Sequence, residues 1–174
     1  MKEQRNYYSD GKFKTIGFPV SHKENEKRRA IMPDHVSGIN HPDRLFFEEG
    51  HGLVLEIPNK EYARYGCIIA PRETVLEQDV ICDPKIGDAD YLESLHKGQT
   101  IFGWVHATQN RDITDKIING GLTAYAWENM NYKGRHLFWR NNELAGEAAV
   151  MHAFQGFGRM PYETKTAVLG CGNT

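Results

Sequence analysis

Four side chains that could bind an anion or move a proton stand at the end of a predicted strand or in the loop after it: Arg28, Lys85, His106 and Glu128. Arginine binds a carboxylate through two parallel hydrogen bonds, and histidine titrates near neutral pH and can transfer protons. A partly buried lysine beside a second cation has a lowered pKa, which suits acid–base work. Because ligands bind beyond the carboxyl ends of strands in open α/β sheets, these positions predict a site for a small anionic substrate.

Each of these four side chains also has an ordinary structural interpretation. Arg28 belongs to a charged run, 25–29, that could simply be solvated, and its neighbour Arg29 could face the site instead. Lys85 could lie on the surface, because lysine is seldom buried. His106 could cap or pack, and Glu128 could either pair with a cation in the site or cap a loop. The other histidines lack metal-ligand spacing, so no metal site is predicted.

A second site is predicted at residues 167–174, where the apolar run Ala167 to Leu169 leads into Gly170-Cys171-Gly172. A buried strand followed by Gly-x-Gly begins a dinucleotide-binding βαβ unit, because the glycines permit a tight turn and a close approach to the pyrophosphate. The motif alone is weak, since glycine pairs also mark ordinary turns. The run nevertheless predicts the first strand of a truncated dinucleotide-binding domain.

Short apolar runs alternate with helical stretches over most of the chain. Continuous apolar strands separated by helices predict an α/β fold with a mostly parallel, helix-covered, Rossmann-like sheet. Strands are predicted at 15–19, 45–47, 67–70, 79–82, 100–105 and 122–127, with 53–57 as a further candidate, and helices at 72–78, 88–95, 112–119 and 142–157.

The same pattern predicts how the chain is organised. We expect a flexible leader over 1–14, a substrate domain over 15–140, a linking helix over 141–164 and the start of the truncated nucleotide domain over 165–174. Small residues along one face of the helix at 142–157 leave apolar surface that a second copy could cover, which predicts a homo-oligomer.

Composition excludes several classes of function. The 174 residues include 21 basic and 23 acidic side chains, so no basic face for nucleic acid is expected. No apolar run approaches the roughly 18 residues that would span a bilayer, and no membrane partner is predicted. The three cysteines are widely spaced and fit neither a disulfide framework nor a zinc site, which indicates reduced thiols in a cytoplasmic protein.

The motifs together resemble the N-terminal half of the alanine dehydrogenase superfamily, which includes the saccharopine dehydrogenases and the N-terminal part of proton-pumping transhydrogenase. Within it, 18–29 and the Gly-x-Gly-Asn loop are most similar to the opine-forming N5-(carboxyethyl)ornithine synthases. The stretches that carry the resemblance are 16–19, 23–33, 83–85, 98–106, 142–146 and 168–173.

The resemblance implies an oxidoreductase that joins pyruvate, a 2-oxo acid, to the side-chain amine of an amino acid, ornithine or lysine. NADPH is the implied cofactor, with NAD not excluded. Two alternatives stay open: an alanine dehydrogenase that uses pyruvate, ammonia and NAD, and an inactive remnant that at most binds a small ligand or oligomerises. Members of the superfamily are longer, so the 174-residue chain alone is expected to be inactive.

The resemblance also implies a role for each candidate residue. Lys85 and His106 are the expected catalytic acid–base pair, and Arg28 and Glu128 are expected to bind substrate. Gly170, Gly172 and Asn173 are expected to bind the cofactor.

Overall fold

The computed structural model describes residues 14–170. The predicted leader lies almost wholly outside this range, as do Gly172 and Asn173. The chain forms two compact units that divide between Trp127 and Glu128. The domains expected from the sequence are defined by function, not by compactness, so their bounds stay a prediction.

The first unit is built on a parallel sheet of six strands. The strands are β1 (Ile16–Phe18), β2 (Leu45–Glu48), β3 (Ile68–Ala70), β4 (Val80–Cys82), β5 (Thr100–Gly103) and β6 (Thr123–Ala126). Their order in the sheet is β3-β2-β1-β4-β5-β6, and every neighbouring pair is parallel. The direction of winding reverses between β1 and β4, which makes this the topological switch point. The predicted Rossmann-like α/β fold is confirmed.

Most helices that connect these strands are single turns: α1 (Pro33–Val36), α2 (Lys60–Ala63) and α3 (Arg72–Leu76). The exception is α4 (Arg111–Gly120), which has a defined cap at each end. Asn110 accepts a hydrogen bond from the Asp112 N–H at 3.0 Å, and Gly121 ends the helix in the left-handed region with φ 62°. The helix predicted at 112–119 is therefore confirmed.

Two predicted elements of this unit are wrong. The stretch 53–57 is not a strand but a 3-10 turn over Leu53–Leu55, because Glu56 has a left-handed backbone with φ 59° that no strand accommodates. The stretch 88–95 is not one helix but lies across two 3-10 turns, Ile86–Asp88 and Leu92–Ser94. An extended residue, Ala89, interrupts it with ψ 133°.

A buried apolar cluster fixes the ends of β4 and β5. Ile81, Ile86 and Ile101 have no exposed surface, and Val105 keeps only 1%. Ile113 of α4 packs against them. Burial of whole aliphatic side chains stabilises by roughly 1.5–3 kcal/mol each, so the loops that leave β4 and β5 begin from fixed positions.

A second cluster on the sheet is aromatic and encloses His51. Phe18 and Phe47 stack with ring centroids 4.6 Å apart, and the His51 ring meets Phe47 edge-on at 5.2 Å and Tyr62 at 5.6 Å. His51 is 1% exposed. Burial, followed by the positive charge of Arg29, lowers the pKa of His51 to about 3.

The buried His51 should make folding stability depend on pH. The unfolded chain binds a proton at this histidine below pH ~6.5 and the folded chain does not, so stability falls as the pH drops from ~6.5 towards the folded pKa of about 3. Between pH 7 and pH 5 the free energy of unfolding of the parent should fall by about 2 kcal/mol more than that of His51→Phe. Urea unfolding at the two pH values measures this loss. The control is His35→Gln, which changes an exposed histidine. If the free energy of unfolding changed equally with pH in His51→Phe and in the parent, the account would be contradicted.

The second unit contains a short hairpin and one long helix. β7 (Asn131–Tyr132) pairs antiparallel with β8 (Arg135–His136), and α5 spans Trp139–Phe157. The helix predicted at 142–157 is confirmed and begins three residues earlier. Leu144 and Met151 are 50% and 66% exposed on it, and a second copy covering them stays a prediction. No helix of the described residues is long and apolar enough to cross a membrane.

The strand predicted at Ala167 to Leu169 is not formed. Val168 is 78% exposed and Leu169 is fully exposed. An apolar run becomes a strand only when a neighbouring strand takes up its hydrogen bonds, and no strand within 14–170 pairs with these residues.

Candidate functional site

Two of the predicted residues flank the switch point of the sheet. Arg28 lies in the loop after β1, and Lys85 lies three residues after the end of β4. In doubly wound sheets the crevice between the two strands at this point is the usual place for a ligand. The sheet order, which the sequence does not reveal, thus brings the loops of Arg28 and Lys85 side by side.

The guanidinium of Arg28 forms a two-pronged ion pair with Glu26. Arg28 Nε donates to Glu26 Oε1 at 2.9 Å, and Nη2 donates to Oε2 at 2.6 Å. The Glu26 side chain is 6% exposed, whereas that of Arg28 is 46% exposed. Burial alone would raise the pKa of Glu26, but the hydrogen bonds and charge of Arg28, together with the charge of Lys85, lower it. Glu26 is therefore a buried carboxylate that is paired with Arg28 and feels the positive charge of Lys85.

The neighbouring Arg29 is bound to backbone carbonyls instead. Its Nε donates to the carbonyl oxygen of His51, and its Nη1 donates to that of Arg28 at 2.9 Å. These contacts tie the loop after β1 to the loop after β2. The sequence left open which arginine faces the site, and the geometry favours Arg28.

Lys85 is held by a buried acid, Asp83. The Lys85 N–H donates to Asp83 Oδ1 at 2.8 Å, and the Tyr91 hydroxyl donates to Oδ2 at 2.7 Å. Burial raises the pKa of Asp83, although these two donors oppose the rise. The Lys85 side chain is 26% exposed, and its Nζ lies 3.7 Å from Asp88 Oδ2. The lysine thus has a fixed backbone and a partly exposed amine.

His106 lies at the same edge of the sheet, one strand further along. Its backbone is left-handed, with φ 56° and ψ 23°, and its ring stacks on Trp104 at 6.2 Å. Such a conformation is uncommon for residues other than glycine, and strained residues of this kind cluster at active sites. The loops of His106 and Lys85 touch, because the Gly87 N–H donates to the Trp104 carbonyl at 3.2 Å.

The other predicted residues belong to the second unit. Glu128 is its first residue and is half-buried. Gly170 has φ 128°, and Gly172 and Asn173 lie beyond the described residues. The structure thus places Arg28 and Lys85 in the two loops that flank the switch point, with His106 in the loop after the adjacent strand β5. The roles of Glu128 and the glycine loop stay predictions.

The sequence reasoning missed the residues that hold these loops in place. They are Glu26, Glu48, Arg72, Asp83 and Tyr91. The position of Glu48 at the end of β2, and of Arg72 just after β3, carries the same strand-end signal that identified Lys85. Spacing could not identify Tyr91, because its hydroxyl reaches Asp83 across eight residues.

The arrangement can bind and polarise a small oxo acid. A guanidinium held by a buried carboxylate, and an ammonium whose backbone is fixed by the buried Asp83, can bind a carboxylate and an oxo oxygen with little reorganisation during a reaction. The loop after β5 adds an imidazole, a side chain that can act as a general acid or base.

Comparisons with known proteins show what this chain is similar to. The family model described as alanine dehydrogenase/PNT, N-terminal domain, matches residues 17–139. The chain is 33% identical to the N(5)-(carboxyethyl)ornithine synthase of Clostridium botulinum over 91% of this chain and 55% of the relative. It is 30% identical to the alanine dehydrogenase of Bacillus subtilis, over 78% of this chain and 36% of that protein. The chain spans about half the length of the synthases it matches. It spans a smaller share, 36%, of the Bacillus subtilis alanine dehydrogenase.

Solved structures share the fold. An L-alanine dehydrogenase superposes with a TM-score of 0.63 at 22% identity, covering 74% of this chain and 36% of that one. The transhydrogenase from Sinorhizobium meliloti superposes with a TM-score of 0.66 at 21% identity, covering 81% of this chain and 44% of that one. At these identities the similarity establishes the fold alone.

Proposed function

We propose that this chain, which belongs to the alanine dehydrogenase/PNT family by its N-terminal domain, supplies the substrate-binding part of an oxidoreductase that reductively condenses pyruvate with the side-chain amine of ornithine or lysine. The observation that carries the proposal is the placement of two cations on either side of the switch point: Arg28, paired with the buried Glu26 after β1, and Lys85 after β4. The similarity to N(5)-(carboxyethyl)ornithine synthases over 91% of the chain supports the choice of substrates.

Arg28 binds the carboxylate of the oxo acid in this proposal. A guanidinium matches a carboxylate in shape and charge, and the Arg28 side chain is 46% exposed. Glu26 engages Nε and Nη2, which fixes the plane of the guanidinium before substrate arrives. Lys85, in the loop on the other side of the switch point, supplies the ammonium that stabilises developing negative charge on the oxo oxygen.

Lys85 and His106 share the proton transfers. The amine adds to the oxo carbon, one water leaves, and the resulting C=N bond is reduced. A base must take a proton from the attacking amine, and an acid must protonate the departing oxygen. The Lys85 ammonium and the His106 imidazole are the residues of this edge that suit the two tasks.

We place the nicotinamide dinucleotide at the Gly-x-Gly run that begins at Gly170. The φ of Gly170, 128°, is one that glycine adopts readily and other residues rarely do, which supports a glycine-dependent turn at this position. NADPH is our proposal for the cofactor, and it supplies the hydride that reduces the C=N bond.

A chimera tests the proposal. Joining this chain to the C-terminal part of the Clostridium botulinum synthase gives a protein of full length, and NADPH consumption is followed with pyruvate plus ornithine, lysine or ammonia. We expect consumption with ornithine or lysine. Consumption with ammonia alone would favour the alanine dehydrogenase alternative, which the similarity to the Bacillus subtilis enzyme supports. A folded chimera that is inactive with every amine would contradict both.

A further inference from the structure

Arg72, the first residue of α3, joins loops that leave different strands. Its Nη1 donates to the Val20 carbonyl oxygen at 3.0 Å and lies 3.1 Å from Glu48 Oε2. Its Nη2 donates to Asp90 Oδ1 at 2.9 Å. The side chains of Arg72 and Glu48 are 19% and 13% exposed, so the bonds to Val20 and Glu48 form largely away from bulk water, whereas Asp90 is 57% exposed and its bond lies at the surface. A single guanidinium thus holds the loop after β1, the end of β2 and the loop after β4.

Val20 is held from both sides. Its N–H donates to Glu48 Oε2 at 2.6 Å, while its carbonyl accepts from Arg72. Glu48 is 13% exposed and is itself the ion-pair partner of Arg72. Val20 begins the loop that carries Glu26 and Arg28, so the ion pair fixes the point from which this loop departs.

On its other side Arg72 meets the residues that hold Lys85. The guanidinium carbon lies 5.1 Å from the centre of the Tyr91 ring, and the Tyr91 hydroxyl donates to Asp83. Asp83 in turn accepts from the Lys85 N–H. The contacts form a continuous path from the Val20 peptide through Arg72, Tyr91 and Asp83 to the backbone of Lys85.

We propose that Arg72 is a positioning residue that sets the spacing between the loop of Arg28 and the loop of Lys85, so that both cations meet the same substrate molecule. The ligand in this statement rests on the proposed function, whereas the coupling of the two loops does not. Only a planar, forked cation can donate to Val20 and Asp90 and lie on the Tyr91 ring at once. A lysine at this position keeps the charge and loses the geometry.

Amide hydrogen exchange on the 174-residue chain tests the coupling. We expect Arg72→Met to speed exchange of the Val20 and Lys85 N–H groups by about tenfold each, the effect of losing a hydrogen bond of ordinary strength. Tyr91→Phe should speed Lys85 exchange alone. The control is Arg64→Met, which removes an exposed ion pair with Glu61 and should change neither amide.

A binding measurement connects the coupling to the site. Oxamate, an unreactive analogue of pyruvate, should bind Arg72→Met about tenfold more weakly than the parent. Arg72→Lys should restore thermal stability but not affinity, a split that a merely structural role would not produce. The amide of the buried Ile101 reports global unfolding. If it also exchanges faster in Arg72→Met, that variant is globally destabilised and Arg72→Lys is compared with the parent instead. In Arg72→Lys the amides of Val20 and Lys85 are again expected to exchange faster than in the parent.

Two results separate the coupling from the proposed function. Faster exchange at Val20 with an unchanged rate at Lys85, in both Arg72 variants, would overturn the coupling. Faster exchange at both amides in a chain that does not bind oxamate would support the coupling and contradict the proposed function.

Discussion

Alanine in place of Lys85 or His106 is expected to lower kcat/KM of the chimera with pyruvate and ornithine by at least about a hundredfold, the usual contribution of a positioned acid or base. The proposed function assigns stabilisation of the oxo oxygen to Lys85 and proton transfer to both side chains, so the loss of either should slow the reaction. Steady-state NADPH consumption measures the effect. Lys85→Arg separates the two roles of the lysine, because it keeps the charge for binding and should recover KM but not kcat.

Matched controls come from exposed residues of the same unit. Lys97→Ala and His35→Gln remove one amine and one imidazole that lie on the surface. Both should leave kcat/KM within about twofold of the parent, since surface changes away from the site have small effects. Rates in Lys85→Ala and His106→Ala that match these controls would remove the assignment of the catalytic pair.

Alanine in place of Gly103 is expected to destabilise the first unit by about 3 kcal/mol, the upper part of the range for overpacking. A Cβ at this position would lie 1.9 Å from the carbonyl oxygen of Asp83. A Cβ at Gly87 would likewise lie 2.0 Å from the carbonyl oxygen of Val105. The loops of Lys85 and His106 therefore touch backbone to backbone, and any side chain between them must push them apart.

Urea unfolding measures the cost, with Gly38→Ala as the control. A Cβ at Gly38 would make only an ordinary contact, 3.7 Å from the His35 carbonyl oxygen. This variant should stay within about 0.5 kcal/mol of the parent. A Gly103→Ala chain as stable as Gly38→Ala would mean that the two loops are not in the close contact described.

The sequence predicted where individual strands end, but it did not reveal the order of the strands in the sheet. Strand ends are local features, and the apolar runs before Lys85 and His106 marked them correctly. The position of the switch point is not local, because β1 pairs with β4, joining Ile16 to Val80 across 64 residues. Nothing in the sequence near Arg28 indicates that its loop will lie beside that of Lys85.

The errors share a physical cause. The stretches at 53–57 and 88–95 have apolar residues at suitable spacing, but single backbone conformations at Glu56 and Ala89 break them. The choice between Arg28 and Arg29 depends on the His51 carbonyl, which only the folded loop after β2 supplies. Long-range hydrogen bonds of this kind leave no trace in residue spacing.

The most direct test of the site is an NMR titration of the 174-residue chain with oxamate. The account predicts that the largest amide shifts occur at 25–29, 85–88 and 104–107, which surround the carboxyl edge of β1, β4 and β5. Residues 38–44, which precede β2 at the opposite end of its strand, should not respond. Shifts centred on 38–44, or none at saturating oxamate, would contradict an oxo-acid site at the switch point.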